Sequence, residues 1–452
     1  MMKIKLFLLI LFALRFTISV NGQLIAIKTV PLATGDQFMI FPAKYAGMGN
    51  LSIPVDDPWL DPFVNPAKGL HLNRSYLFSS PSLYRITNDY GAAETLPVSG
   101  FYRNGNWFGA ASFSIQQLES NFTEQNFRTV PIRQNLSDSF SENVYLFGAL
   151  GKRLANLNTS IGFSFFAANL QAMEGIELLY PNSREIKQNG SMYDFRLGLV
   201  HKMKDGQSVE AVILHNRYNM THDLKYIDRS IIDDSWRVSS TGFRREKNSD
   251  KSRTWGVHLR YRKQIPGSNW HFGGILTGNW KSHPKIPNYE LMNIPRDPGN
   301  SQAYNIGLGF AEIDQDTIVG FEFIYEPIWS STWAVAANEI STAGGGLIPK
   351  GSRTVDNRFA FSNYILRWGI SKEASLFGFQ LGLQFRRISY LFEQTDYVRI
   401  IRRRQKEHWA EWTVSWGIMV NLHSFRLHYN GRILFGTGRP GITNRGIANS
   451  TL

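Results

Sequence analysis

The 452-residue chain contains no cysteine, which excludes a secreted domain built on disulfides and a lipid anchor attached through a cysteine. Beyond the first twenty residues no apolar run approaches the roughly 18 residues that a membrane helix requires, so any membrane is crossed by strands. Acidic residues are few beside basic ones, 36 against 49, and the formal charge is +13. No basic helix, zinc spacing or aromatic RNA-binding motif accompanies that excess, so nucleic acid is not an expected partner. Positive connections facing lipid phosphates account for it better. Catalytic signatures are also missing. There is no Gly-x-Ser-x-Gly elbow, no His-Glu-x-x-His and no Walker loop, and Gly346 to Ser352 lacks the lysine a phosphate loop needs. His215, His258 and His428 stand one by one as lumen-facing candidates, and no enzyme, cofactor or metal site is expected from them.

What the chain does have is export and alternation. Lys3 and Lys5 precede the apolar stretch Leu6 to Leu14, and Val20-Asn21-Gly22 suits cleavage before Gln23, so residues 1–22 read as a signal peptide. From about residue 74 to residue 436, apolar residues alternate with small or polar ones, the mark of a strand with two different faces. Trp270, Phe272, Gly274, Leu276, Gly278 and Trp280 share one face, with His271, Gly273, Ile275, Thr277 and Asn279 on the other. Aromatics at both ends of an apolar face match the girdles of a membrane barrel. Tyr193, Phe195, Leu197 and Leu199 likewise oppose Asp194 and Arg196, and Val319, Phe321, Phe323 and Tyr325 oppose Glu322 and Glu326.

Connections alternate between tight and long. Tight ones fall at Asn104-Gly105, Asp205-Gly206, Pro266-Gly267 and Asn421 to His423, and long polar ones at 119–142, 168–191, 218–251, 281–301, 330–355 and 389–408. Short turns on one side of a membrane and long loops on the other produce that rhythm. The expected fold is all-β, a transmembrane antiparallel β-barrel of about fourteen strands (14–16), followed by a tail over 437–452. The run RIIRRRQK, Arg399 to Lys406, falls in an expected outer loop, where it is either a solvated loop or a contact to glycolipid phosphates.

Ahead of the strands, Pro42 to Leu70 is dense in punctuation. Gly47 and Gly49 permit tight turns, and Pro54, Pro58, Pro62 and Pro66 remove amide donors, so no regular helix or central strand persists there. Gly47-Met48-Gly49, then Asp56-Asp57, then Asn65-Pro66-Ala67 resemble the N-terminal signature of the FadL-like and PorV-like outer-membrane barrel proteins. The resemblance covers only this segment, and it departs from the pattern where Lys68 separates Asn-Pro-Ala from Gly69-Leu70. It implies that residues 23–70 form a periplasmic or lumenal hatch, with Gly47, Gly49, Asp56, Asp57, Asn65 and Pro66 as its signature, and that 71–436 form the barrel.

A barrel of that width needs an occupant. By parity the lumen collects Arg196, Arg260, Arg262, Arg386, Arg426 and Arg432 with Asp194, Glu210, Glu322 and Glu326, and Asp56, Asp57 and Asp61 of the hatch are expected to face those arginines. Two functions follow from the resemblance. One is a plugged channel for small, apolar molecules, and the other is a non-enzymatic partner of a secretion machine. The expected location is the Gram-negative outer membrane, and the expected partners are its lipid, lipopolysaccharide, a small-molecule ligand and secretion-system proteins. Tyr289, Trp329, Trp333, Tyr397 and the stretch Ile176 to Tyr180 are the candidate outer capture surface.

Overall fold

The computed structural model describes residues 37–72, 74–86, 91–119, 140–154, 157–174, 183–203, 205–231, 238–282, 300–422 and 425–437. The two-faced segments become strands, most of them paired with their neighbours in sequence. They are β1 (Tyr76–Ser79), β2 (Ser82–Ile86), β3 (Gly91–Asn104), β4 (Trp107–Glu119), β5 (Phe140–Leu154), β6 (Thr159–Leu170), β7 (Ser183–Lys202), β8 (Ser208–Ile231) and β9 (Val238–Gln264). There follow β10 (Trp270–Ser282), β11 (Asn300–Ile313), β12 (Thr317–Val335), β13 (Ile340–Ser341), β14 (Leu347–Ile348), β15 (Arg353–Glu373), β16 (Phe377–Asp396), β17 (Ile401–Asn421) and β18 (Arg426–Gly436). All but β13 and β14, which form their own pair, join one antiparallel sheet.

Parity governs exposure along each strand. Leu276 is 49% exposed and its neighbour Thr277 only 1%. Phe321 and Phe323 are exposed while Glu322 is fully buried between them. The exposed face is therefore mainly apolar and the buried polar side chains lie toward the enclosed side, the inverse of a soluble sandwich. Among the described residues no helix is long and apolar enough to cross a membrane. The helical pieces among the described residues are α1 (Asp61–Val64) and two 3-10 turns, Ala46–Met48 and Pro66–His71, all within the segment ahead of the sheet. The sheet curls around that segment, which contacts inward faces from β3 to β7 through one turn and from β15 to β18 through the other.

Several expectations need correction. Among the described residues there are eighteen strands, not about fourteen. Ser80-Pro81 breaks the first into β1 and β2, because proline cannot donate to the ladder, yet both pieces still pair with β3. The pair β13 and β14 adds two more within a connection between long strands. Closure is not seen either, since β18 is paired only with β17 among the described residues. Between the two sheet edges stands Trp59, its ring 5.4 Å from that of Phe78 on β1 and 5.6 Å from that of His428 on β18.

Long polar stretches also proved to be strand rather than loop. β8 and β9 run on to Ile231 and restart at Val238, and β16 and β17 are joined by residues 397–400 alone. A loss of apolar residues ends a membrane span, but it does not end a hydrogen-bonded ladder whose side chains still alternate. Most of the RIIRRRQK run is therefore on β17, and Trp329 and Trp333 are on β12. His215 faces outward with Trp255, at 4.0 Å between rings, and does not enter the enclosed side. The signal peptide, Ile176 to Tyr180, Tyr289 and the tail from 438 onward lie outside the described residues.

Candidate functional site: the plug and its seat

Prolines and glycines shape residues 37–72 into a compact body with no element longer than six residues, a plug in the geometric sense that it sits on the enclosed side of the sheet. Pro62 and Pro66 occupy the first turn of α1 and of the second 3-10 turn, where a missing amide costs nothing. Asn65 caps that second turn by accepting from the Ala67 amide at 3.1 Å. The Asp57 carboxylate accepts four amides, those of Lys44, Tyr45, Trp59 and Leu60, at 2.9–3.0 Å. Asp57 thus folds the plug upon itself and meets no arginine, contrary to the expectation that it would. Phe63 stacks on Phe41 at 4.2 Å and packs against Phe147 of β5 and Phe101 of β3, so this end is seated by aromatic burial.

Toward β8 and β9 the seat is ionic. The Lys68 ammonium, 2% exposed, lies 2.9 Å from Asp56, 2.5 Å from Asp61 and 3.2 Å from Glu210 of β8. Arg260 of β9 reaches Asp56 at 2.7 Å and Glu210 at 2.9 Å, and donates to the carbonyls of Ile53 and Val55, both at 2.9 Å. Arg262 adds a contact to Asp56 at 2.6 Å. Three carboxylates and three cations balance, which is how a buried cluster avoids an uncompensated charge. Burial and Arg260 would lower the pKa of Lys68, but the three carboxylates outweigh them and hold it above the usual value. Burial pushes the Asp61 carboxyl up to about 7 against the pull of Lys68.

Toward β12 and β15 one carboxylate serves the plug backbone. Glu322 accepts the amides of Ser52 and Ile53 at 3.0 and 2.9 Å and pairs with Arg367 at 2.7 Å, while Arg367 donates to the Asn50 carbonyl at 3.2 Å. Asp194 and Arg196 on β7 pair at 2.6 Å, and Arg196 donates to the Val64 carbonyl at 3.1 Å.

Toward β15, β16 and β17 the seat is made of missing side chains. A Cβ on Gly382 would lie 2.0 Å from the Gly49 amide nitrogen, one on Gly369 2.3 Å from the Met48 carbonyl oxygen, and one on Gly47 2.7 Å from the Gly417 nitrogen. Gly49 also sits at φ +71°, a conformation that suits glycine. Ser415 locks the contact, donating to the Gly47 carbonyl at 3.0 Å and accepting the Gly49 amide at 2.9 Å. Gly162 and Gly198, paired across β6 and β7, bear in the same way on Pro66 and Asn65. Gly273 and Gly309, paired across β10 and β11, bear on Ile53 and Pro54.

The structure thus gathers Gly47, Gly49, Asp56, Asn65, Pro66, Asp194, Arg196, Glu210, Arg260 and Glu322 at the plug seat. Arg386 and Glu326 pair with each other at 2.7 Å on the inward face, away from the plug aspartates. Arg426 reaches the plug indirectly, through Glu373, which it meets at 2.9 Å and which also meets Lys44 at 2.9 Å. Sequence reasoning missed Lys68, Arg367, Ser415 and the wall glycines. Parity would have found Arg367, which lies between outward Leu366 and Trp368. Nothing local marks Lys68, whose position looked like a departure from the motif. Among the described residues no group of three or more His, Asp or Glu side chains is placed to hold a metal.

No protein-family model matches the chain. No curated protein matches it either. Solved structures do. The siderophore receptor PirA from Acinetobacter baumannii aligns with 82% of this chain at 8% identity and a TM-score of 0.38, and the chain spans 64% of that receptor's length. The Pseudomonas putida toluene transporter TodX aligns with 77% of the chain, and with 94% of its own, at 11% identity and a TM-score of 0.37. The copper transporter OprC gives 10% identity, 81% and 63% coverage and a TM-score of 0.39. Likeness this distant does not bear on what this chain carries.

Proposed function

We propose that this chain is a plugged channel of the Gram-negative outer membrane, with residues 37–72 as its gate. The observation that carries the reading is the seat itself. A segment with an irregular backbone lies on the enclosed side of a sheet whose other face is apolar, and Glu210, Arg260, Glu322 and Arg367 of the wall meet several of its charges, amides and carbonyls. Backbone of that kind persists within a membrane protein only where protein or water shields it from lipid. The cargo is a small molecule. An apolar one, as the FadL-like resemblance implies, is supported by Phe359, Phe361, Ile388, Tyr390, Phe392 and Trp409, which cluster on the inward faces of β15, β16 and β17. Neither the described surface nor the comparisons support the second reading, a partner of a secretion machine.

Deleting residues 37–72 from the purified protein and placing it in a planar bilayer tests the gate. A nearly silent parent and a deletion with large steady conductance are the expected pair. A folded deletion as silent as its parent would show that something else closes the lumen.

A further inference from the structure

The outward face of the sheet carries a line of tryptophans and, one step along the strands, a line of cations. Trp255, Trp280 and Trp329 lie on one cross-strand line through β9 to β12, joined by Gln302. Two residues further from the tight-turn end, Arg253 is the direct neighbour of Arg217 on β8. On the far side Arg358 of β15, Glu393 of β16 and Arg404 of β17 are successive neighbours on the same line. Lys251 and Arg402 stand one step beyond. Alternation splits the RIIRRRQK run, so that Arg402, Arg404 and Lys406 face outward together with Arg358.

These cations are in excess of their acids. Arg358 and Arg404 remain 72% and 74% exposed, 3.8 Å from Asp356 and 3.5 Å from Glu393, which are loose contacts. On β3, β4 and β5 the apolar band ends instead at Glu94, Gln117 and Glu142, neighbours on one line. The basic surface is therefore one-sided. Within it lies a groove of about 610 Å³ walled by Trp280, Trp329, Leu391, Arg358 and Glu393, with Ala360 on its floor.

We infer that this face binds one anionic glycolipid of the outer leaflet, with its phosphates on Arg358 and Arg404 and an acyl chain in the groove between Trp280 and Trp329. Tryptophan rings settle where acyl chains give way to headgroups, and a guanidinium placed just outside them presents a fork that matches phosphate oxygens. A zwitterionic lipid brings its own cation and leaves the excess charge unanswered. The inference rests on the membrane-barrel reading above.

Native mass spectrometry of the detergent-purified protein, titrated with bisphosphorylated lipid A, is the test. The double variant Arg358→Ala/Arg404→Ala is expected to hold lipid A about tenfold more weakly, with its heat-modifiable gel mobility intact. Lys152→Ala, an outward cation at the opposite rim, should change nothing. Removing one phosphate from the lipid should weaken retention by the parent, and a large excess of inorganic phosphate should not displace it. Should the double variant fail to assemble, Glu393→Gln takes its place, and tighter retention is expected. Parent-like binding by the double variant, equal loss in Lys152→Ala, displacement by free phosphate, or a Glu393→Gln variant that binds no tighter would overturn the inference while leaving the barrel intact. A protein recovered without detergent would overturn the barrel reading itself.

Discussion

Toward β8 and β9 the plug meets its wall through charge, whereas toward β15, β16 and β17 it meets it through the absence of side chains. The first seat is a balanced cluster in which Arg260 touches two carboxylates and two carbonyls. The second is backbone against backbone, with Ser415 as its clasp. A charge cluster tolerates small shifts, because long side chains follow, but it does not tolerate the loss of one member. A glycine seat is indifferent to charge, but it excludes any added volume. The proposed gate would therefore have one side that responds to a change of charge, and one that acts as a fixed bearing.

The largest effect is expected from breaking the first side. Arg260→Ala takes one cation from Asp56 and from buried Glu210, a change that costs about 3–5 kcal/mol in such clusters. A lower urea midpoint for unfolding and frequent openings in bilayer recordings should follow. A silent, fully stable variant would mean that the cluster does not hold the plug.

Both seats share the premise that the opposite face of the wall meets lipid. Leu276→Arg should hamper assembly by about 2–4 kcal/mol, and the same change at inward Thr277 should do less harm to membrane insertion. Equal defects in membrane-fraction yield would show the face assignment to be wrong.

The second seat is probed by volume. Gly382→Val drives a side chain into the Gly49 amide and is expected to cost about 1–3 kcal/mol or to unseat the plug. A Cβ at Gly274, on the outward face, comes no closer than 3.6 Å to Leu308 and 3.7 Å to the Gly307 carbonyl oxygen, so Gly274→Val should be tolerated. Limited proteolysis of residues 37–72 separates the two results.

The smallest effect distinguishes the sides by pH. Asp61 has its carboxyl raised from 3.8 to about 7, so its contribution to stability is complete below about pH 4 and is lost as pH rises through about 7. Plug retention measured by proteolysis should therefore weaken from about pH 4 to about pH 7 in the parent and level off above, with that slope absent in Asp61→Asn. A slope unchanged in the variant would assign the titration to another group.

Alternation along Trp270 to Trp280 or Val319 to Tyr325 was enough to assign faces, because a strand's side chains have a period of two whatever lies around them. The prolines and glycines of 42–70 likewise told that no regular element forms there. Strand ends were not legible, since a ladder continues past the apolar band as long as its partner does, as β8 and β9 show. The site was legible only as a list. That Asp56 would find Arg260 and Arg262, that Asp57 would fold the plug upon itself, and that Lys68 would become the centre of the cluster depend on contacts between residues more than a hundred positions apart or on the path of a turn. Local sequence determined what each face is made of. Only the curling of the sheet decided which wall glycines would lie against which plug amides, because the close approach of two backbones is a property of the space between strands and not of either strand alone.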